Sequence, residues 1–292
     1  MKTFDELTFT DDFMFGKVLT THLDITKELI EMILDIKIAR IEVCESQKSL
    51  KFTPFDKGVR FDVYVADEKN TVYNLEMQTT DSRNLPKRSR YYQGMIDLDM
   101  IEQGSDYSDL KKSYVIFICK QSPAFVKDDK PIYIFENMCG DQRLGDESYK
   151  VFINAASKSM DIPEKLKPFL DFVLDNPGTE TEFVRKLKIA VLDVKDSKKW
   201  RKEYMAFYDT LKKERLEALA EGRAEGRAEG RAEGRAEGRE EGRAEGRAEG
   251  RAEAENFFVR VLADNGKTKA EIVAMTGLNM EFVEKAISSN EK

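Results

Sequence analysis

Residues 60–78 read RFDVYVADEKNTVYNLEMQ. Two runs that alternate apolar and polar residues flank a polar turn, the pattern of a β-hairpin with one half-buried face. Core-facing residues of paired strands must share a face, so Phe61 is expected opposite Met77, Val63 opposite Leu75 and Val65 opposite Tyr73. That register leaves a turn through Glu68-Lys69-Asn70. It also sets Asp62 against Glu76 on the polar face, with Gln78 two residues further along. Opposed carboxylates have Cβ atoms roughly 4.5–5.5 Å apart and destabilise the strand pair. A hard divalent cation between them reverses the sign of that interaction. The residues alone leave two readings open, a metal-binding pair or two solvated surface acids.

Working outward, helical periodicity precedes the hairpin. Asp11 and Asp12 lead into Phe13, Met14, Phe15, Val18 and Leu19, and a second stretch runs through Ile25, Leu29, Ile30, Ile33 and Leu34. His22 lies at the boundary between them, as a cap or a surface residue. Residues 38–43 are expected as a first strand. After the hairpin, Tyr91, Met95, Leu98 and Ile101 are helix-spaced, which predicts a helix from Leu85 to about Gln103 with Tyr91 facing inward and Gly104 closing it. The unbroken apolar run 113–119 predicts a strand buried on both faces. Residues 132–135 and 149–153 read as further strands, and 163 to about 219 as helical. The order describes an α/β domain, a mixed sheet covered by helices.

The tail is a tandem repeat. Residues 221–252 are EGRA in eight units, with Glu240 replacing one Ala. A period of four places Glu over Glu and Arg over Arg, and each glycine costs about 1 kcal/mol relative to Ala in a helix. Against this, Ala, Glu and Arg are good helix formers. The tract is therefore either a helical stalk of about 48 Å, at 1.5 Å per residue, or a flexible linker. Beyond it, KAEIVAMTGLNMEFVEKAI predicts two short helices around Thr276-Gly277-Leu278-Asn279, readable as a helix-turn-helix or as a packing hairpin. Glu281 and Glu284 on its second helix suit a phosphate-lined groove poorly.

Composition excludes several classes. Of 292 residues, 35% are charged, and the net charge is −7 with one histidine. Multi-histidine metal sites are thereby ruled out, and the net charge argues against strong global attraction for nucleic acid while leaving room for a local basic groove. Cys44, Cys119 and Cys139 are too irregularly spaced for a disulfide framework or zinc ribbon. No phosphate-binding glycine motif occurs. The acidic start MKTFDELTFTDDF is unlike a secretory signal, and no apolar run reaches the length of a membrane span. The expectation is a soluble, cytoplasmic protein with no membrane partner.

Asp62, a thirteen-residue spacer and Glu76-x-Gln78 resemble the D…(D/E)xK signature of the PD-(D/E)XK nuclease superfamily, with Gln in the Lys place. FTDDFMFGKVL, KGVRFDVYV, YNLEMQ, LPKRSRYYQGMIDLDMI and GSDYSDLKKSYVIFIC together resemble the recombination-promoting nuclease and transposase (Rpn) family, over most of residues 4–290. The resemblance implies a PD-(D/E)XK-like mixed sheet flanked by helices at 1–200, a stalk or linker with EGRA repeats at 201–252 and a helical hairpin at 253–292. It implies a Mg²⁺-dependent DNA endonuclease, of low sequence specificity and linked to recombination or mobile DNA. By the same resemblance Asp62 and Glu76 are the metal ligands, with the Met77 carbonyl as a third, and Gln78 is the third catalytic position. An amide at Gln78 orients water but supplies no positive charge. Lys87, Arg88 and Arg90 are the candidates for that charge and for DNA contact, with Tyr91 and Tyr92 beside them; the bland alternative is a solvated helix start. Asp12 is either an accessory acid or a helix N-cap. The tail is expected to form a homo-oligomer. The competing reading is a weak or inactive nuclease domain that acts as an oligomerising interaction protein.

Overall fold

A computed structural model describes residues 2–51, 58–80 and 83–288. The chain divides into two compact units, Met1–Tyr208 and Asp209–Lys292.

In the first unit, α1 (Asp12–Thr21) and α2 (Leu23–Leu34) meet at His22. There follow β1 (Ile41–Leu50), β2 (Val59–Asp67), β3 (Val72–Gln78), α3 (Leu85–Met100) and β4 (Ser113–Cys119). Next come β5 (Ile132–Phe135), the two-residue strands β6 (Met138–Cys139) and β7 (Gln142–Arg143), and β8 (Ser148–Asn154). Helices α4 (Lys167–Val173) and α5 (Glu182–Asp196) and the start of α6 (Lys198–Asp264) complete the unit. Among the described residues six strands form one sheet in the order β1-β2-β3-β4-β8-β5. Its two parallel pairings are β3 with β4 and β4 with β8; the other three are antiparallel.

Helices cover both faces, which is why β3 and β4 carry almost no solvated residue. One face packs Val63, Val65, Tyr73, Leu75, Ile116 and Ile118 against α1, α2, α4 and α5. The other packs Phe61, Tyr64, Val115 and Phe117 against Leu85, Tyr92, Met95 and Ile96 of α3. The hairpin register is as the alternation dictates, with Val63 opposite Leu75 and Val65 opposite Tyr73. Its turn closes through the Asn70 N–H, which donates to the Asp67 carbonyl at 2.9 Å, with Asn70 at φ 59°.

Three expectations need correction. Phe61 does not share a face with Val63. It sits in the opposite cluster, its ring 5.3 Å from that of Tyr92, so the alternation breaks at Asp62. On the neighbouring strand Gln47, between the partners of Val63 and Phe61, has φ 54°. The first strand is Ile41–Leu50, not 38–43, because an edge strand with one open side tolerates the polar run CESQKS. On α3 it is Tyr92 that packs inward while Tyr91 is 40% exposed. The helix buries Ser89 and Gln93 beside Tyr92 and Ile96, so its inner face is partly polar.

In the second unit, residues 221–252 lie within α6, the helical of the two alternatives. A Cβ added at any glycine of the tract would meet nothing within 4 Å. After Gly266, α7 (Lys269–Thr276) and α8 (Met280–Ser288) form the expected hairpin, with Gly277 at φ 71° ending α7. Val259, Ile272, Val283 and Ala286 make its small core.

Candidate metal centre

Asp62 and Glu76 come from adjacent antiparallel strands, and each carboxylate accepts from a backbone N–H of the other strand. The Asp62 N–H donates to Glu76 Oε1 at 3.0 Å, and the Met77 N–H donates to Asp62 Oδ2 at 3.0 Å. These side-chain bonds take over where the β2–β3 ladder stops, beyond Val63 and Leu75. The break in alternation at Asp62 is therefore what lets the carboxylate replace a ladder bond.

The acids are not on a solvated face, contrary to the simplest reading of a hairpin with one wet side. Glu76 is 1% exposed, because β3 is interior to the sheet and α3 closes over it. Burial drives the Glu76 carboxyl well above the ordinary range, and the Asp62 charge adds to this; Arg88, the Asp62 N–H and the Asn74 amide oppose it. Burial also raises Asp62, helped by Asp12 and opposed by the Met77 N–H, Arg88 and Arg60.

Arg88 answers most of that charge. Its guanidinium lies 2.7 Å from Glu76 Oε2 through Nη2, donates through Nη1 to Gln78 Oε1 at 3.2 Å, and through Nε to the Tyr92 hydroxyl at 2.9 Å. Stacking fixes it further, with its carbon 4.9 Å from the Tyr92 ring centroid and 5.3 Å from that of Phe117. Burial and the Glu76 charge in turn push the Tyr92 hydroxyl up to about 12, so it stays a neutral partner. Gln78 is thus gathered into the same cluster, its amide nitrogen donating to the Thr80 carbonyl at 2.6 Å. Lys87 and Arg90 lie exposed on α3.

Asp12 is the first residue of α1, and Asp11 takes the N-cap position, accepting from the Thr8 N–H at 2.7 Å. The N-cap reading of Asp12 is therefore corrected. Burial raises the Asp12 carboxyl, opposed by Arg60. Of the basic groups at 185–202, Lys186 pairs with Glu28 and Glu182, Lys188 with Glu180, and Arg201 with Asp5.

Three neighbours escape a reading of the sequence. Gly16 brings α1 against the hairpin, since a Cβ there would lie 3.0 Å from Ser46 Cβ and 3.6 Å from the Asp62 carbonyl oxygen. A glycine inside an apolar helical run is the signal that could have found it. Arg60 flanks Asp62 on β2 as a countercharge, and Asn74 lies fully buried beside Glu76 on β3.

The donor set suits a hard cation. Among the described residues no group of three or more His, Cys, Asp or Glu side chains is placed to hold a metal. Magnesium, however, is commonly held by one or two carboxylates, with waters and substrate phosphate completing its shell. A buried and a half-buried carboxylate, mutually repelling and with raised proton affinity, are such a set, and Asp62 and Glu76 would hold the ion.

The model of a family described as PD-(D/E)XK nuclease family transposase matches residues 9–141. No curated protein and no solved structure matches the chain. Among the described residues no helix is long and apolar enough to cross a membrane.

Proposed function

We propose that the chain, whose residues 9–141 match the model of the PD-(D/E)XK nuclease family transposases, is a divalent-cation-dependent DNA endonuclease of low sequence specificity, serving recombination or mobile DNA. The observation that carries this reading is the pair of hydrogen bonds across β2 and β3, from the Asp62 N–H to the Glu76 carboxylate and from the Met77 N–H to the Asp62 carboxylate. These bonds hold a buried and a half-buried carboxylate together at a cost that a positive partner offsets. A cation such as Mg²⁺, bound there, supplies Lewis acidity and an activated water.

The chain's own residues do the rest. Arg88 is the positive charge that Gln78 lacks; it is oriented by Tyr92 and Gln78 and is 36% exposed, so a phosphate oxygen can reach it. Gln78 positions a water or a phosphate oxygen through its amide. Lys87 and Arg90, exposed on the same helix, meet flanking phosphates without reading bases, consistent with low specificity. Asp12 adds negative charge near Asp62 and strengthens the site for a cation. The helical tail assembles copies of the chain.

A second reading has its own support. Both Glu76 oxygens already have partners, and an internal arginine occupies the cation's electrostatic role. On that reading the domain is catalytically weak and acts by oligomerising. Cleavage of supercoiled plasmid by wild type and Asp62→Ala, each with Mg²⁺ and with EDTA, separates the two. Loss of cleavage in the variant and in EDTA supports the nuclease. Absence of cleavage by wild type, or equal cleavage by the variant, rejects it.

A further inference from the structure

We infer that Asn74 is a positioning residue for Glu76: its buried amide is the donor that takes up the Glu76 carboxylate when Glu76 leaves Arg88 to bind a divalent cation with Asp62. The inference rests on the reading of Asp62 and Glu76 as cation ligands.

Asn74 is 0% exposed, and neither its Oδ1 nor its Nδ2 has a hydrogen-bond partner among the described residues. The amide is near enough to Glu76 to favour the ionised carboxylate, yet it is not placed as a formed hydrogen bond. Buried amides are almost always satisfied, so an orphaned one marks an absent partner or a second arrangement. Asparagine is also a poor strand former, and Asn74 lies mid-strand opposite Tyr64 on β2 and Val115 on β4. An aliphatic side chain there would cost the fold nothing evident. What distinguishes the position is its relation to Glu76: two residues apart on one strand, the side chains share a face. In the arrangement described, Glu76 Oε2 is held by Arg88 and Oε1 by the Asp62 N–H. A carboxylate released from Arg88 needs a replacement donor on the sheet side, and among the described residues Asn74 Nδ2 is an unengaged one on that face.

The rival explanation is structural. Gln93 of α3 has an orphaned Oε1, while its Nε2 donates to Ser113 Oγ at 2.5 Å and Asp97 Oδ1 at 3.2 Å. A water joining Gln93 to Asn74 would satisfy both amides without involving Glu76.

Calorimetric titration of the full chain with Mn²⁺ as probe, free of DNA, decides between them. The variants are Asn74→Leu, Asn74→Val and Gln93→Met; valine suits a strand, so the test does not hang on one variant folding. Loss of a hydrogen bond to a charged group predicts an Mn²⁺ dissociation constant raised about tenfold or more in either Asn74 variant. Gln93→Met is expected to stay within about twofold of wild type. Wild-type affinity in a folded Asn74 variant overturns the inference, as does an equal weakening by Gln93→Met. Mn²⁺ binding that Asp62→Ala leaves intact overturns the reading of the pair itself.

Discussion

Replacing Arg88 by methionine removes the one cation that, among the described residues, directly contacts the buried Glu76. Glu76 is 1% exposed and lies 2.7 Å from the guanidinium, which also bonds Gln78 and Tyr92. Breaking a buried pair by deleting one partner costs about 3–5 kcal/mol. Arg88 is itself 36% exposed, and Glu76 can relieve its isolation by taking a proton, so roughly 2–3 kcal/mol remains. For a unit of this size, at about 2–4 °C per kcal/mol, the melting temperature falls by about 4–12 °C. The lost attraction is specific to the pair. In a Glu76→Gln background the same Arg88→Met change should cost no more than about 1 kcal/mol, the value of ordinary neutral contacts. Urea denaturation in EDTA, followed by fluorescence of the single tryptophan, Trp200, reads the unit directly, because Trp200 packs against its core. Equal cost of Arg88→Met in both backgrounds would refute the charge-pairing argument.

Raised carboxyls make a further signed prediction. Burial raises both Asp62 and Glu76 above their unfolded values, so the folded state binds more protons and stability falls as pH rises through their folded range. A tenfold gain in proton affinity on folding corresponds to about 1.4 kcal/mol. Melting profiles from about pH 5 to 9 in EDTA should therefore slope downward in wild type, flatten in Asp62→Asn/Glu76→Gln and be partly restored by Mg²⁺; a wild-type slope that survives the double variant sinks the assignment. Gly16→Val should destabilise by about 1–3 kcal/mol through overpacking against Ser46 and the Asp62 strand and should reduce plasmid cleavage, an outcome contradicted by a fully active variant. Replacing the eight tract glycines by alanine should raise helicity by circular dichroism, with about 1 kcal/mol gained per site. A fall in oligomeric mass by light scattering on that change would identify the glycines as packing positions instead.

Much of the sheet was legible because period-two alternation is a local property. It placed Val63 opposite Leu75 and Val65 opposite Tyr73, while an unbroken apolar run marked residues 113–119 as a strand buried on both faces. Where a strand bends, alternation misleads, and Phe61 was assigned to the wrong side because the bend falls at Asp62. The edge strand β1 was only partly read, since its outward residues look like a loop. Proximity of Asp62 to Glu76 followed from the register, but their burial did not, because it depends on α3 packing over them. The inner face of α3 hides for a related reason: Ser89 and Gln93 are buried, so hydrophobic periodicity alone chose Tyr91 over Tyr92. Arg88 was one of three basic candidates in the sequence, and only its distance from Glu76 distinguishes it from Lys87 and Arg90.

The tract in α6 has a geometric consequence. Its repeat of four residues exceeds one helical turn, so each unit lengthens the helix by about 6 Å and rotates the segment C-terminal to it by about 40°. Within the second unit, adding or deleting one EGRA would therefore swing the α7–α8 hairpin around the helix axis as well as along it, and about nine units restore the original heading. If near-identical DNA repeats encode the tract, slippage during replication preserves the reading frame while changing that heading in fixed increments. Repeat number then behaves as a heritable dial, setting the direction in which the terminal hairpin is presented without altering any residue of the hairpin itself.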